Sequence, residues 1–396
     1  MPVTELEYWL WFASDPSIRP GAKKALLDLY GDPETIYALP KERLQIRGVS
    51  PAEAEKLLRR DPAQLKELQS QLEKQQLDFI PLCSSRYPEP LRNIYDPPVG
   101  LFVKGSLPDL QQRAAVAVIG TRHASAYGMK MGRSTAYQIA SCGAVVISGL
   151  TAGIDARAAE GALEAGGTCI GVLGTAHERE TGDLAARVER NGAVISEIPP
   201  GAANNRNYFR ARNRIAAGLS VGVLVVEAPE KSGTRLFVAE ALDQGKDIFV
   251  IPGNADSPNS AGIFAMMRDG AQPVPDGLSV VREYAMLYPE TLCIPKTCEV
   301  PPEKKTPEPQ RKKRQEEPAQ IDRSRKTEYN SGPKTIPTGV TAEQRQILQA
   351  ILAGAAYVDE ITEAAGLPVA KVLAQLTILE IRGFVSRDPG KRYTVS

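Results

Sequence analysis

Residues 113–122 read R-A-A-V-A-V-I-G-T-R, and residues 143–155 read G-A-V-V-I-S-G-L-T-A-G-I-D. Val116 to Ile119 is a short apolar run stopped by Gly120, and Val145 to Ser148 is a second, stopped by Gly149. Short continuous apolar runs ended by glycine suit strands buried on both faces. Between them Met129, Gly132, Ala136, Ile139 and Ala140 recur at helical spacing. Strand, helix and parallel strand form the unit that builds open α/β sheets. The pattern repeats at Cys169–Leu173, Val194–Ser196, Val221–Val226 and Ile248–Ile251. A doubly wound, mostly parallel sheet is therefore expected.

Ligands of such sheets sit outside the carboxyl ends of the strands. The residues that follow each strand should converge on one rim: Thr121-Arg122, residues 149–153, Gly174, Glu197, residues 227–233 and Pro252-Gly253. A guanidinium at Arg122 suits a phosphate, although an arginine there is also an ordinary surface residue. Gly120, Gly149 and Gly153 permit close backbone approach, but the loop is not G-x-G-x-x-G, so a dinucleotide fingerprint is absent. Asp155 reads as a helix-cap residue rather than a catalytic acid. Residues 208–214, Y-F-R-A-R-N-R, place three arginines behind two aromatics. Arg212 and Arg214 suit forked contacts to phosphates. Tyr208 and Phe209 suit base stacking, the combination found in single-strand binders. The competing reading is a salt-bridge network to Glu197 and Glu227, which could otherwise be a catalytic pair. Ser232-Gly233-Thr234 offers hydroxyls and amides at a helix start, an anion nest. His123 and His177, the latter in a polar loop, have no metal-ligand pattern around them.

The rest of the chain bounds the function. It has 396 residues and a net charge of +1, so a polyanion partner must be met by a local basic surface. Five cysteines show no metal-like pairing. Cys83, Cys142 and Cys169 read as buried thiols, and Cys293 and Cys298 flank a loop and could pair. No signal peptide or long apolar span stands out, which suits a soluble cytoplasmic protein with no membrane contact and no cofactor. Four segments are expected: a helical domain over 1–75, the α/β domain over 76–288, a disordered linker over 289–338 and a further domain over 339–396. Asp32-Pro33 and Ser50-Pro51 look like helix starts. The first segment could be a helix-hairpin-helix-like module gripping phosphates, or a structural or partner-binding one. A helix over 65–77 leads into Phe79-Ile80-Pro81-Leu82, and Leu101–Val103 reads as an edge strand. The linker carries a basic run at 311–314. The last segment reads as three helices and a two-stranded ribbon, a winged helix. Lys371, Gln375, Thr377 and Arg382 are expected on its exposed face, with Arg387, Lys391 and Arg392 on its ribbon. DNA binding without base reading and protein binding both suit it.

These residues carry a resemblance. A-V-I-G-T-R from Ala117, V-I-S-G-L-x-x-G-I-D from Val146, Ser196-Glu197, R-N-R-I-x-A-G-L-S from Arg212, V-V-E-A-x-x-x-S-G-T from Val225 and A-L-x-Q-G-K-D-I-F-V-I-P-G from Ala241 strongly resemble the DNA-processing protein A (DprA/Smf) family. The likeness runs in order from about Pro81 to Val280, and the helical N-terminus and C-terminal winged helix resemble the family too. It implies an extended Rossmann-like domain that binds single-stranded DNA in a positive pocket. It also implies a homodimer that protects incoming DNA and helps load the RecA recombinase during natural transformation, with no catalysis. The family's site arginines fall on Arg122, Arg212 and Arg214.

Several rim residues depart from the family pattern. Ala152 stands for an Arg, Ala159 for a His, Arg210 for a Pro and Phe237 for a Thr. The block at Ser260-Ala261-Gly262-Ile263-Phe264 lacks an Arg and an Asn, and a Y-P pair is missing near Thr181. Phe237 and Phe264 are expected either to stack bases or to pack together and close the pocket. Two other functions compete: a protein-interaction scaffold with an inert pocket, and a nucleotide phosphoribohydrolase-like enzyme. The latter's P-G-G-x-G-T-x-x-E loop reads P-E-K-S-G-T-R-L-F here.

Overall fold

The computed structural model describes residues 4–180, 182–302, 340–387 and 393–395. The chain divides into two compact units, Met1–Lys304 and Lys305–Ser396.

The first unit is built on one nine-stranded sheet. Its strands are β1 Asp78–Pro81, β2 Gly100–Gly105, β3 Ala115–Ile119, β4 Val145–Ser148, β5 Cys169–Leu173, β6 Gly192–Ser196, β7 Gly222–Val225, β8 Asp247–Val250 and β9 Gln272–Pro273. The spatial order is β1-β2-β6-β5-β4-β3-β7-β8-β9. Every pair from β6 to β9 is parallel, and β1 and β2 are antiparallel additions at one edge. The chain winds outward from β3 to β6, then returns to the other side of β3 with β7. The strand order thus reverses between β3 and β7, the position where open sheets make a crevice.

The central strands are apolar throughout because helices cover both faces. Ile147, Ile195, Val223, Ile215 and Phe237 pack on one face, under the helices Asn207–Leu219 and Thr234–Asp243. Val116, Val146, Ile139, Ile154 and Leu278 pack on the other, under Ala126–Ser141, Ile154–Glu164 and Gly277–Arg282.

Two expectations change here. Leu101–Val103 is not at the edge: β2 is paired on both sides, and β1 covers it. β1 itself has no period-2 alternation, and its Pro81 suits an edge because it has no N–H to leave unpaired. Cys83 is exposed rather than buried, whereas Cys142 and Cys169 are buried; all five cysteines are free thiols.

Six helices precede the sheet, and Asp32 and Ser50 cap two of them as expected. Their core of Trp9, Phe12, Leu26 and Ile36 continues into Phe79, Val99 and Phe102 of the sheet edge. The turn before Pro20-Gly21 is occupied by protein. Arg19 pairs with Glu53 at 2.8 Å and donates to the Gly48 carbonyl at 3.0 Å.

The second unit contains the helices Ala342–Leu352, Val358–Ala365 and Val369–Ile381 and the antiparallel ribbon β10 Val385–Arg387 and β11 Tyr393–Val395. Gly366, at φ 63°, makes the turn between the second and third helices. Ile347, Leu348, Ile361, Val372 and Leu379 form its core, and the whole is a winged helix. On its third helix Lys371 pairs with Glu343 at 2.9 Å, and Gln375 accepts from Gln344 at 2.8 Å. Lys391, Arg392, the basic run at 311–314 and Thr181 lie outside the described residues. Among the described residues no single helix is long and apolar enough to cross a membrane.

Glu53 gives a pH signature. Burial alone would raise its pKa, but bonds from Arg19 and Ser50 outweigh that and hold it at about 2, against an ordinary 4.5. A carboxylate with a depressed folded pKa stabilises above its unfolded pKa and loses that contribution as pH falls through the folded one. The contribution of Glu53 should be complete above about pH 4.5 and decline from there towards 2. Urea denaturation should find Glu53→Gln markedly less stable than the parent at pH 7, with the difference shrinking as the pH approaches 2. A difference independent of pH would contradict this.

Candidate functional site

A cleft of about 480 Å³ opens over the carboxyl ends of β3, β4 and β7. Gly120, Thr121 and Arg122 enter it after β3, Thr151 and Asp155 after β4, and Ser232, Gly233 and Thr234 after β7. The start of the helix Asn207–Leu219 supplies the outer wall. Along that helix Arg206, Phe209, Arg210 and Asn213 follow i, i+3, i+4, i+7 spacing, so all four face the cleft.

The floor depends on missing side chains. A Cβ at Gly149 would overlap Arg212 Nη1, and one at Gly120 would press on Ile154. Gly153 has φ 90°, and a Cβ there would meet the Thr121 carbonyl. Leu150 takes the left-handed region at φ 54° without being glycine, a conformation that persists only where the surroundings impose it. Ser148 fixes this loop: its hydroxyl donates to the Asp155 carbonyl at 2.7 Å and accepts from the Leu150 N–H at 3.1 Å.

The cations differ in their freedom. Arg122 is exposed, and its guanidinium lies over the Phe209 ring at 5.3 Å. Neither Arg122 nor the exposed Arg206 has a carboxylate partner among the described residues. Exposed Arg210 reaches the half-buried Glu240 only at 3.9 Å, a pair of little worth. Arg212 is 8% exposed and stands 3.6 Å from Asp155, with its Nε buried and unbonded. Burial lowers its pKa, Asp155 opposes that, and nearby Arg122 adds to the lowering. Burial raises the Asp155 pKa against Arg212 and a 2.9 Å bond from Thr151. Ser232 Oγ is also buried without a partner, beside the helix Thr234–Asp243, which lacks a side-chain cap. Buried polar atoms left without partners in a cationic cleft suit an anion that would satisfy them.

Arg214 is elsewhere. It is 4% exposed, does not line the cleft, and binds both Glu197 oxygens at 2.7 and 2.8 Å and Asp96 at 3.3 Å. Burial disfavours its charge, but the two carboxylates outweigh burial and raise its pKa. The expected forked phosphate contact is therefore filled by protein, as the salt-bridge reading had it for Glu197. Glu227 joins no arginine among the described residues: it accepts from the Ser125 N–H at 2.9 Å and from Asn259 at 3.1 Å. Tyr208 also leaves the cleft, because consecutive helical residues point about 100° apart; it lines a second groove. Phe237 is 4% exposed and packs in the core beneath the cleft, while Phe264 is half-buried and makes no ring contact with it among the described residues. The two rings therefore do not pack together, and Phe237 lines the cleft from beneath. Ala152 and Ala261 are exposed, and Ala159 is buried. His177 is buried rather than in a polar loop; its Nε2 is 2.9 Å from the Phe102 carbonyl, and burial depresses its pKa to about 4. Sequence reading missed Arg206, which precedes the helix in a loop of small and amide residues. Its helical spacing from Phe209 and Arg210 was the available signal.

Residues 78–285 match the family described as DNA recombination-mediator protein A, and residues 331–391 match the DprA winged helix domain. The chain is 35% identical over 204 residues to DNA processing protein DprA of Bacillus subtilis, spanning 50% of this chain and 69% of that one. It is 28% identical over 418 residues to protein Smf of Synechocystis sp., spanning 99% of each. The X-ray structure of DNA processing protein A from Streptococcus pneumoniae is similar with a TM-score of 0.60 at 31% identity, over 72% of this chain and 99% of that one.

The two kinds of arginine should separate in stability. Arg214→Ala removes a buried guanidinium and leaves the half-buried Glu197 and Asp96 without a counter-charge, and is expected to cost about 3 kcal/mol. Arg122→Ala, at an exposed position, should stay within about 0.5 kcal/mol of the parent. Urea denaturation of both variants checks this, and equal effects would contradict the assignment.

Proposed function

Because the chain belongs to the DNA recombination-mediator protein A family, we propose that its cleft binds single-stranded DNA and that it works in recombination by binding rather than by catalysis. One observation carries this reading. An exposed guanidinium rests on a half-buried aromatic ring at the cleft wall, Arg122 on Phe209, with Arg206 and Arg212 across the same cleft. A strand would exchange that contact for two others, its phosphate taking Arg122 and its base taking the Phe209 ring. The bases of a duplex are stacked on one another, so only an unpaired base can use the ring. Phosphate contacts fix register without reading sequence, so binding to strands of mixed sequence is expected.

Arg212 Nε, Ser232 Oγ and the amides around Gly233 supply a deeper phosphate position. Gly120, Gly149 and Gly153 let Ile154, Arg212 and the Thr121 carbonyl pack close beneath it. Arg214 acts as a positioning residue here and touches no strand. Glu197 and Glu227, the candidate catalytic pair, are both engaged by structural partners, which favours binding. The proposal extends to a cytoplasmic homodimer that protects incoming DNA and hands it to the RecA recombinase during transformation; the recombination-mediator family supports the hand-over step. It also keeps the C-terminal winged helix as a partner-binding module; the chain just after residue 288 packs on the sheet unit, with Cys293 N–H donating to the Cys142 carbonyl at 3.0 Å, so that stretch is part of the domain rather than of a linker.

Titration of labelled poly-dT across salt concentrations tests the site. Arg122→Ala and Arg206→Ala should each flatten the log–log salt slope by about 0.7 per phosphate lost. Phe209→Ala should weaken binding by about 1–3 kcal/mol. Unchanged slopes in both arginine variants would overturn the reading and favour a scaffold with an inert cleft.

A further inference from the structure

The groove that receives Tyr208 encloses about 440 Å³. One wall is the loop Asp15–Ser17 with Gln64, Glu67 and Gln71 of the helix Pro62–Gln75. The other is the loop 199–203, ending at Tyr208. Both walls are fixed. Lys23 donates to the Asp15 carbonyl at 3.0 Å, and Lys56 to the Ser17 hydroxyl at 2.8 Å. Gly201 N–H donates to Glu178 at 2.6 Å. Among the described residues no lysine or arginine lines this groove, whereas Asp15 and Glu67 do. A phosphate is therefore disfavoured. The groups present are a half-buried phenol ring, two primary amides, prolines and two carboxylates, and Gln71 Oε1 is buried without a bonding partner. Rings and amides facing one slot are the chemistry that receives a heterocyclic base.

One short piece of chain lines both the groove and the cleft. Arg206 lines the cleft and Tyr208 the groove, and only the first turn of one helix separates them. We propose that the groove is a nucleobase subsite for the same strand. The nucleotide next to the one on Phe209 keeps its phosphate at Arg206, crosses the lip at residues 204–206, and places its base against Tyr208. Gln64 and Gln71 then face the base edge, where an amide can both donate and accept. The proposal rests on the strand-binding reading of the cleft, and it gives the N-terminal helices a direct part in holding DNA.

Two strand lengths test it. A three-nucleotide dT strand fills the cleft alone, and a twelve-nucleotide strand reaches both sites. Tyr208→Ala should weaken the longer strand about fivefold or more, the lower end of a lost base stack, and leave the shorter one unchanged. Tyr208→Phe keeps the ring and should bind as the parent does. A 5-iodouracil-substituted twelve-mer should crosslink on irradiation to the peptide holding residue 208. Equal binding of the twelve-mer by Tyr208→Ala and the parent, with no crosslink there, would overturn the subsite while the Arg122→Ala effect stands. A labelled oligo-arginine peptide that binds the parent, is lost in Tyr208→Ala and fails to compete with the twelve-mer would also overturn it, in favour of a peptide site. If Arg122→Ala leaves both strands unaffected as well, the cleft reading itself has failed.

Discussion

The ion pair in which Arg214 Nη2 donates to both Glu197 oxygens is the constraint on which the site depends. It ties the helix Asn207–Leu219 to the end of β6, and Asp96 ties the same guanidinium to the segment before β2. With that helix fixed in rotation, Arg206, Phe209, Arg210 and Asn213 can only face the crevice between β3 and β7. The same rotation sends Tyr208 to the neighbouring groove. Two arginines two residues apart therefore do different work: Arg212 lies at the cleft floor and Arg214 holds the wall in place.

The architecture was legible because buried strands and their glycine stops leave a one-dimensional signature. Val116–Ile119 and Val145–Ser148 are strands to within a residue of the reading. β1 was missed because Phe79-Ile80-Pro81 is too short to show a period and contains a proline. The cleft was half legible. Arg122, Gly149, Gly153 and Ser232 follow strands, and strand ends map directly onto the rim. The side chains of Tyr208 and Arg214 were not legible, since their direction depends on how one helix is rotated, which is set by Glu197 and Asp96 far away in sequence. A salt-bridge partner cannot be chosen from spacing when phosphates and carboxylates make equal claims on a guanidinium.

The net charge of +1 and the basic cleft are compatible because the charge is arranged rather than accumulated. Buried Glu227 spends its oxygens on Ser125 and Asn259 instead of neutralising the rim. Ser125 in turn caps the helix Ala126–Ser141. The carboxylates after β6 and β7 thus stabilise elements around the cleft without cancelling the field inside it. Asp155 is the exception, and its distance of 3.6 Å from Arg212 leaves that guanidinium only partly satisfied.

Leu150 joins the cleft to the middle of the sheet. Its side chain is 7% exposed and lies where a Cβ on Gly171 of β5 would sit, while its backbone is held in the left-handed region. The apolar anchor and the bent backbone belong to one residue, so the loop that leads into Asp155 and its helix cannot relax unless the sheet centre loosens as well. The position of the deepest cation is in that sense indexed to the interior of the protein. Temperature or core mutation that softens β5 would blur the geometry of the rim before the domain unfolds, and grip on a ligand would fade ahead of global melting.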